Sequence, residues 1–181
     1  MSSKALLESR QLNQVLLRLA YEIWENHGDF SHTVLLGLQP RGVILSRRLH
    51  QLLQTQVEPG LKVEYGELDI TFFRDDVRRH DAMLKPSATV LPASLEGKRV
   101  VLVDDVLYTG RTIRAGLEAM LAYGRPDRVE LAVLVDRVYA RHLPIQPHYT
   151  GIRVDTIASE RVRVQWDADQ TNGEVWLEST Q

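Results

Sequence analysis

Apolar positions along this chain alternate between helical and strand-like spacing. Leu12, Val15, Leu16, Leu19, Ala20 and Ile23 fall on one helical face, and Asn26 to Gly28 supplies the stop. Val34 to Leu38 is a short continuous apolar run, as a buried strand requires. A turn over Gln39–Gly42 and a helix through about Leu53 follow. Val63 to Phe73 is predicted as strand, or as two strands broken near Gly66. Between Arg74 and Glu96 the periodicity disappears, and charged residues, Pro86 and Pro92 accumulate. A stretch of this kind inside a compact domain is usually functional or mobile. Val100–Val103 then reads as strand, Arg111–Tyr123 as helix stopped by Gly124 and Pro126, and Val129–Val135 as strand. The tail alternates over Val162, Val164 and Trp166, turns at Asn172-Gly173 and resumes at Val175 and Leu177, predicting a terminal β-hairpin. Strand and helix in alternation predict an α/β fold with a central parallel sheet. No repeat or linker divides the chain, so residues 1–181 are expected to form one domain with a mobile loop at about 74–96.

The run Val100-Val101-Leu102-Val103-Asp104-Asp105-Val106-Leu107-Tyr108-Thr109-Gly110-Arg111-Thr112 is the most informative. It orders a buried strand, two carboxylates at its expected end, a tight turn and a helix N-terminus. Free N–H groups in the turn and the positive helix end suit a phosphate. Asp104 and Asp105 would repel that phosphate, so they should face sugar hydroxyls or metal-bound water. A ribose 5-phosphate satisfies both halves. An acidic strand end before an ordinary capped helix would share part of the pattern.

Composition narrows the picture. Twenty-two basic against twenty-four acidic residues give a net charge of −2, so no overall attraction to nucleic acid is expected, although a local basic patch remains compatible. Cysteine is absent, which removes disulfides and thiolate chemistry. No apolar signal core or run of membrane-spanning length occurs, and a cytoplasmic soluble protein is expected.

The full run resembles the phosphoribosyl-diphosphate (PRPP) loop of type I phosphoribosyltransferases. More narrowly, it is similar to the pyrimidine operon attenuation regulator/uracil phosphoribosyltransferase family, called PyrR. Gly37-Leu38-Gln39-Pro40-Arg41-Gly42 resembles that family's pyrophosphate loop. The segment from Glu67 to Asp76 resembles the approach to its mobile loop. Gly124-Arg125-Pro126, Leu131 to Arg137 and Ser159-Glu160-Arg161-Val162 match in the expected order. The resemblance implies a central, mainly parallel sheet flanked by helices, with a hood and C-terminal hairpin. It also implies Mg²⁺-dependent transfer of phosphoribosyl from PRPP to uracil, giving UMP and pyrophosphate, with a leader-RNA-binding regulatory role. A homodimer or higher homo-oligomer is the implied assembly.

Residue roles follow from the same resemblance. Asp104 and Asp105 would hold the ribose hydroxyls and Mg²⁺-bound water, with no direct protein ligand to the metal. Tyr108, Thr109, Gly110, Arg111 and Thr112 would bind the 5′-phosphate. Gln39, Pro40, Arg41 and Gly42 would hold the pyrophosphate, assisted by Arg74 at the start of a closing loop. In that loop Asp75, Asp76, Arg78, Arg79, His80 and Lys85 add charge. The superfamily often has a cis peptide in the pyrophosphate loop. Proline lowers the trans preference, so the Gln39–Pro40 bond is predicted cis. Asp136 and Arg137 would border the base. Tyr108 stands where 6-oxopurine enzymes usually carry Asp, which disfavours hypoxanthine and guanine.

Two departures bear on substrate and RNA. After Asp136-Arg137 the family typically continues Gly-His-Arg-Glu-Leu-Pro, whereas this chain reads Val138-Tyr139-Ala140-Arg141-His142-Leu143-Pro144, with one extra position. Leu17 and Tyr21 replace the usual Thr and His of the first helix, Ile152 replaces a common Lys, and Asp155 replaces Pro. Arg137, Arg141, Arg153, Arg161 and Arg163 still offer basic character for RNA, or a merely solvated face.

Overall fold

The computed structural model describes residues 2–74, 88–92 and 94–179. Along the chain run β1 (Ser2–Leu7), α1 (Ser9–His27), β2 (Thr33–Leu38), α2 (Gly42–Leu52), β3 (Glu64–Leu68) and β4 (Arg99–Leu107). There follow α3 (Arg111–Met120), β5 (Arg128–Val138), β6 (Tyr149–Asp155), β7 (Glu160–Trp166) and β8 (Gly173–Ser179).

Strands apolar at every position must be covered on both faces, and β2 is buried throughout. It sits in a five-stranded parallel sheet of order β3-β2-β4-β5-β6. Successive side chains of a strand point to opposite faces, and the core divides accordingly. Leu35, Val101, Val103 and Leu134 meet Leu12, Leu16, Leu19 and Ile23 of α1 and Leu45 and Leu49 of α2. Leu36, Leu38, Leu102 and Val133 meet Ile113, Ala119 and Met120 of α3 on the other face. Each fully buried leucine contributes about 1.5–3 kcal/mol relative to leaving it exposed.

The terminal hairpin forms as its alternation predicts, with Val162 opposite Leu177 and Val164 opposite Val175. It is joined by β1, which pairs antiparallel with β8, to give a second sheet of order β1-β8-β7. Val162 and Val175 insert into the α1–α2 side of the core and fasten this hood to the domain.

Several boundaries differ from the sequence reading. The Val63–Phe73 stretch is strand only over β3, then turns 3-10 at Thr71–Phe73. The strand expected at Val100–Val103 continues to Leu107, because β5 is long enough to keep pairing through Leu107 opposite Asp136. Asp104 and Asp105 therefore lie within β4 rather than after it. The periodicity gave no sign of β1 or β6. Of the expected mobile loop, residues 75–87 and 93 lie outside the described residues, and with them Asp75, Asp76, Arg78, Arg79, His80 and Lys85.

Candidate active site

Ligands of an open parallel sheet bind beyond the carboxyl ends of its strands. Here β2 makes its last pair with β4 at Gly37 and Val103, so β4 advances past its neighbour and opens an edge from Asp104 onward. The Gln39–Gly42 turn fills the space beside that edge. Its Gln39–Pro40 bond is cis. Gln39 N–H donates to the Leu68 carbonyl at 3.0 Å, and its side-chain Nε2 donates to Ala88 O at 2.9 Å. A Cβ on Gly42 would lie 2.3 Å from Val103 O and 3.0 Å from Asp104 Cα. Only glycine lets α2 begin so near the acidic pair.

Burial and repulsion set the state of those acids. Asp104 and Asp105 are 5% and 8% exposed. Desolvation, reinforced by the charge of Asp105, pushes the Asp104 carboxyl well above the ordinary carboxylate range, with Arg41 and Arg74 acting against it. Burial also raises Asp105, opposed chiefly by Arg41. Asp105 N–H donates to Asp104 Oδ1 at 3.0 Å, and Val106 N–H to Asp105 Oδ1 at 2.8 Å. Two adjacent buried acids are a site for hydroxyl donors or positive charge. Among the described residues no group of three or more His, Cys, Asp or Glu could hold a metal. The acidic pair fits a cation approached through its own waters, the usual habit of Mg²⁺.

Beyond β4, Gly110 caps α3 with φ at 90°, a conformation glycine adopts without steric cost. Having no side chain, it adds no cap of its own at the N-terminus of α3, where Arg111 N–H donates to Thr109 Oγ1 at 3.4 Å. Tyr108 opens this turn, and the Arg137 guanidinium lies 3.9 Å from its ring centroid. Arg137 is itself buried; its Nε donates to Thr156 Oγ1 at 2.8 Å and a terminal nitrogen to Glu160 O at 3.0 Å. At the departure after Arg137, Val138 remains in β5 opposite Asp155, and the left-handed position falls on Tyr139 with φ 65°.

A cavity of about 570 Å³ joins these parts. Gln39, Pro40, Arg41, Arg74, Asp104, Asp105, Tyr108, Thr112, Arg137 and Arg161 line it. Gly42, Thr109, Gly110, Arg111 and Asp136 do not line it; they belong to its framework and turns. Val106, Ala158, Glu160 and Val162 complete the wall. Glu160 and Val162 belong to the hood and Ala158 leads into it; the Ser159-Glu160-Arg161-Val162 match was the sequence signal for this wall. Of the arginines considered for RNA, Arg161 faces the cavity, and Arg163 pairs with Glu178 at 3.1 Å. Arg153 is exposed on β6. Arg141 is engaged within its own loop, bonding Ile145 O at 3.0 Å.

Residues 2–169 match the family described as the phosphoribosyl transferase domain. A protein of a Geobacter species is 44% identical over 96% of both chains, and its name is Bifunctional protein PyrR. The Bacillus subtilis protein of the same name is 40% identical over 95% of each. Among solved structures, the HGPRT-ase of Leishmania tarentolae in complex with GMP superposes with a TM-score of 0.68 at 20% identity, covering 99% of both chains. The hypoxanthine phosphoribosyltransferase of Trypanosoma cruzi gives 0.67 at 16% identity, covering 98% of this chain and 97% of that one. At those identities the structural likeness speaks to the fold.

Proposed function

Because the chain belongs to the phosphoribosyltransferase domain family and, within it, to the PyrR proteins, we propose that it transfers phosphoribosyl from PRPP to uracil, giving UMP and pyrophosphate. The observation that carries the reading is the single cavity in which Asp104-Asp105, the Pro40-Arg41 loop and the start of α3 face one another. Uracil N1 forms the new bond to ribose C1, the bond from C1 to the pyrophosphate oxygen breaks, and the N1 proton is lost. Positive character develops on the ribose ring as the leaving group departs. Asp104 and Asp105, on the ribose side, orient the hydroxyls and favour that charge. Arg41 and Arg74 receive the growing negative charge on pyrophosphate, Arg bonding phosphate oxygens bidentately. Thr112 and the N–H groups at the start of α3 anchor the 5′-phosphate. The chain's contribution is orientation and fixed charge. Asp104 and Asp105 are the residues that would hold Mg²⁺ through its waters, and the ion would supply charge neutralisation on the diphosphate.

Tyr108 and Arg137 support a pyrimidine acceptor. Their stacked pair forms a wall without the carboxylate that would serve a purine ring nitrogen. Incubation with uracil and Mg-PRPP should yield UMP and pyrophosphate in equal amounts. Formation of pyrophosphate without UMP would reject the transfer.

The relatives' name, Bifunctional protein PyrR, supports a second reading. In it the chain also binds a pyrimidine-leader RNA hairpin in response to UMP, as a cytoplasmic homodimer or higher homo-oligomer. Arg153, exposed on β6, and Arg161 at the cavity are the arginines best placed for it. Equilibrium binding of the hairpin with and without UMP, at fixed salt because phosphate contacts are salt-sensitive, tests this role. Absence of UMP-enhanced binding would remove it. Light scattering reports the assembly.

A further inference from the structure

Arg141 does not line the cavity, yet its guanidinium ties together the two halves of it. On the phosphoribosyl side it donates to Leu107 O at 3.2 Å and to Tyr108 O, at the end of β4 and the start of the phosphate turn. On the base side it donates to Arg137 O at 3.1 Å and forms an ion pair with the Asp136 carboxylate. Its Nε bonds Ile145 O at 3.0 Å, which closes the loop that carries it. The adjoining backbone repeats the connection, since the N–H groups of His142 and Leu143 reach Thr109 O at 3.0 and 3.2 Å. Leu143 and Ile145 also pack close to Gly110, within 3.4 and 3.2 Å of where a Cβ would stand.

The consequence lies in the wall between the half-sites. Tyr108 and Arg137 stack on each other, and Arg141 holds the backbone carbonyl of both. A guanidinium presents its donors in a rigid planar fork, so it fixes the spacing of its acceptors as well as binding them. From this geometry we infer that Arg141 is a positioning residue that sets the phosphoribosyl half-site and the base half-site in register. The inference rests on the reading of the cavity as a phosphoribosyl-plus-base site, and it assigns Arg141 a role other than contact with RNA.

Arg141→Gln and Arg141→Lys test it, with affinities measured for UMP, which spans both halves, and for ribose 5-phosphate, which occupies one. In Arg141→Gln, UMP binding should weaken about tenfold or more while ribose 5-phosphate stays within about threefold of the wild type. kcat/KM for uracil should fall about 10²-fold, the effect of a small misplacement of reactants. Arg141→Lys, which keeps the charge and some donors, should lie between the two. It carries the comparison if the glutamine variant does not fold. Equal weakening of both ligands would indicate a general structural role and overturn the inference, as would unchanged UMP affinity with reduced hairpin binding. A wild type that binds ribose 5-phosphate but not UMP would overturn the uracil reading instead. The same comparison would then be made with the nucleotide of whichever base is turned over.

Discussion

In the proposed reaction, Asp104 sets function against stability at one residue. A carboxyl whose pKa is raised in the folded state adds stability only while protonated. That contribution is present below its ordinary value of 3.8 and is lost as pH rises through its higher folded value. Above that ordinary value folding must therefore either desolvate a charge beside Asp105 or take up a proton. Asp104→Asn removes the charge and keeps the oxygen that accepts from Asp105 N–H. Its melting temperature without ligand should exceed the wild type's at pH 7 to 8, by about 2–4 °C for each kcal/mol in a chain of this size, and the gain should shrink toward pH 4. UMP synthesis should fall about 10²–10³-fold. A lower melting temperature at neutral pH would show that the pair is not an electrostatic burden. Because the ionised pair is the form suited to Mg-PRPP, PRPP affinity should strengthen as pH rises through the raised carboxyl range; titration calorimetry would detect the accompanying proton release.

At the scale of elements, the site depends on how closely α2 meets β4. Gly42→Ala places a methyl against Val103 O and Asp104 Cα, backbone atoms that cannot rotate away. Stability should drop by about 1–3 kcal/mol, the usual cost of overpacking. The KM for PRPP should rise as Arg41 is displaced, which initial-rate kinetics would measure. Much of this arrangement was readable in advance. The β4 run, the acidic pair, the turn and α3 carry their own periodicity and capping signals, and Pro40 marked the cis bond. Ser2–Leu7 was not readable as a strand, because its pairing partner is Val175–Ser179 at the far end of the chain. β6 was obscured by Gly151, whose space is closed by Leu134 O, 2.4 Å from where a Cβ would stand. The engagement of Arg141 was likewise hidden. Nothing in a charged residue's local sequence reveals whether carbonyls from two strands and its own loop converge on it.

Across the whole molecule, the end of the sheet opposite the cavity is held by a polar knot. His27 Nε2 and Glu130 Oε2 lie 2.9 Å apart, and Tyr149 OH donates to the same oxygen at 2.6 Å. His27 Nδ1 meets Thr33 Oγ1 at 3.0 Å, so α1, β2, β5 and β6 are joined at one point. Burial lowers the His27 pKa despite the partial compensation of Glu130. A lowered histidine costs stability as pH falls below its ordinary 6.5, giving the acid side of the stability profile a sign opposite to that of Asp104. Glu130→Ala removes the acceptor that two buried partners share, leaves them each other at 3.2 Å, and should cost about 1–3 kcal/mol in urea unfolding. Activity per folded molecule should remain near that of the wild type, because the knot and the cavity occupy opposite ends of the sheet. The proposed reaction places PRPP on one side of that cavity and a pyrimidine against Tyr108 and Arg137 on the other. Uracil, hypoxanthine, guanine, xanthine and orotate supplied separately with Mg-PRPP, under identical conditions, test it most directly. The expected result is turnover of uracil above every other base; a purine turned over in preference to uracil would contradict it.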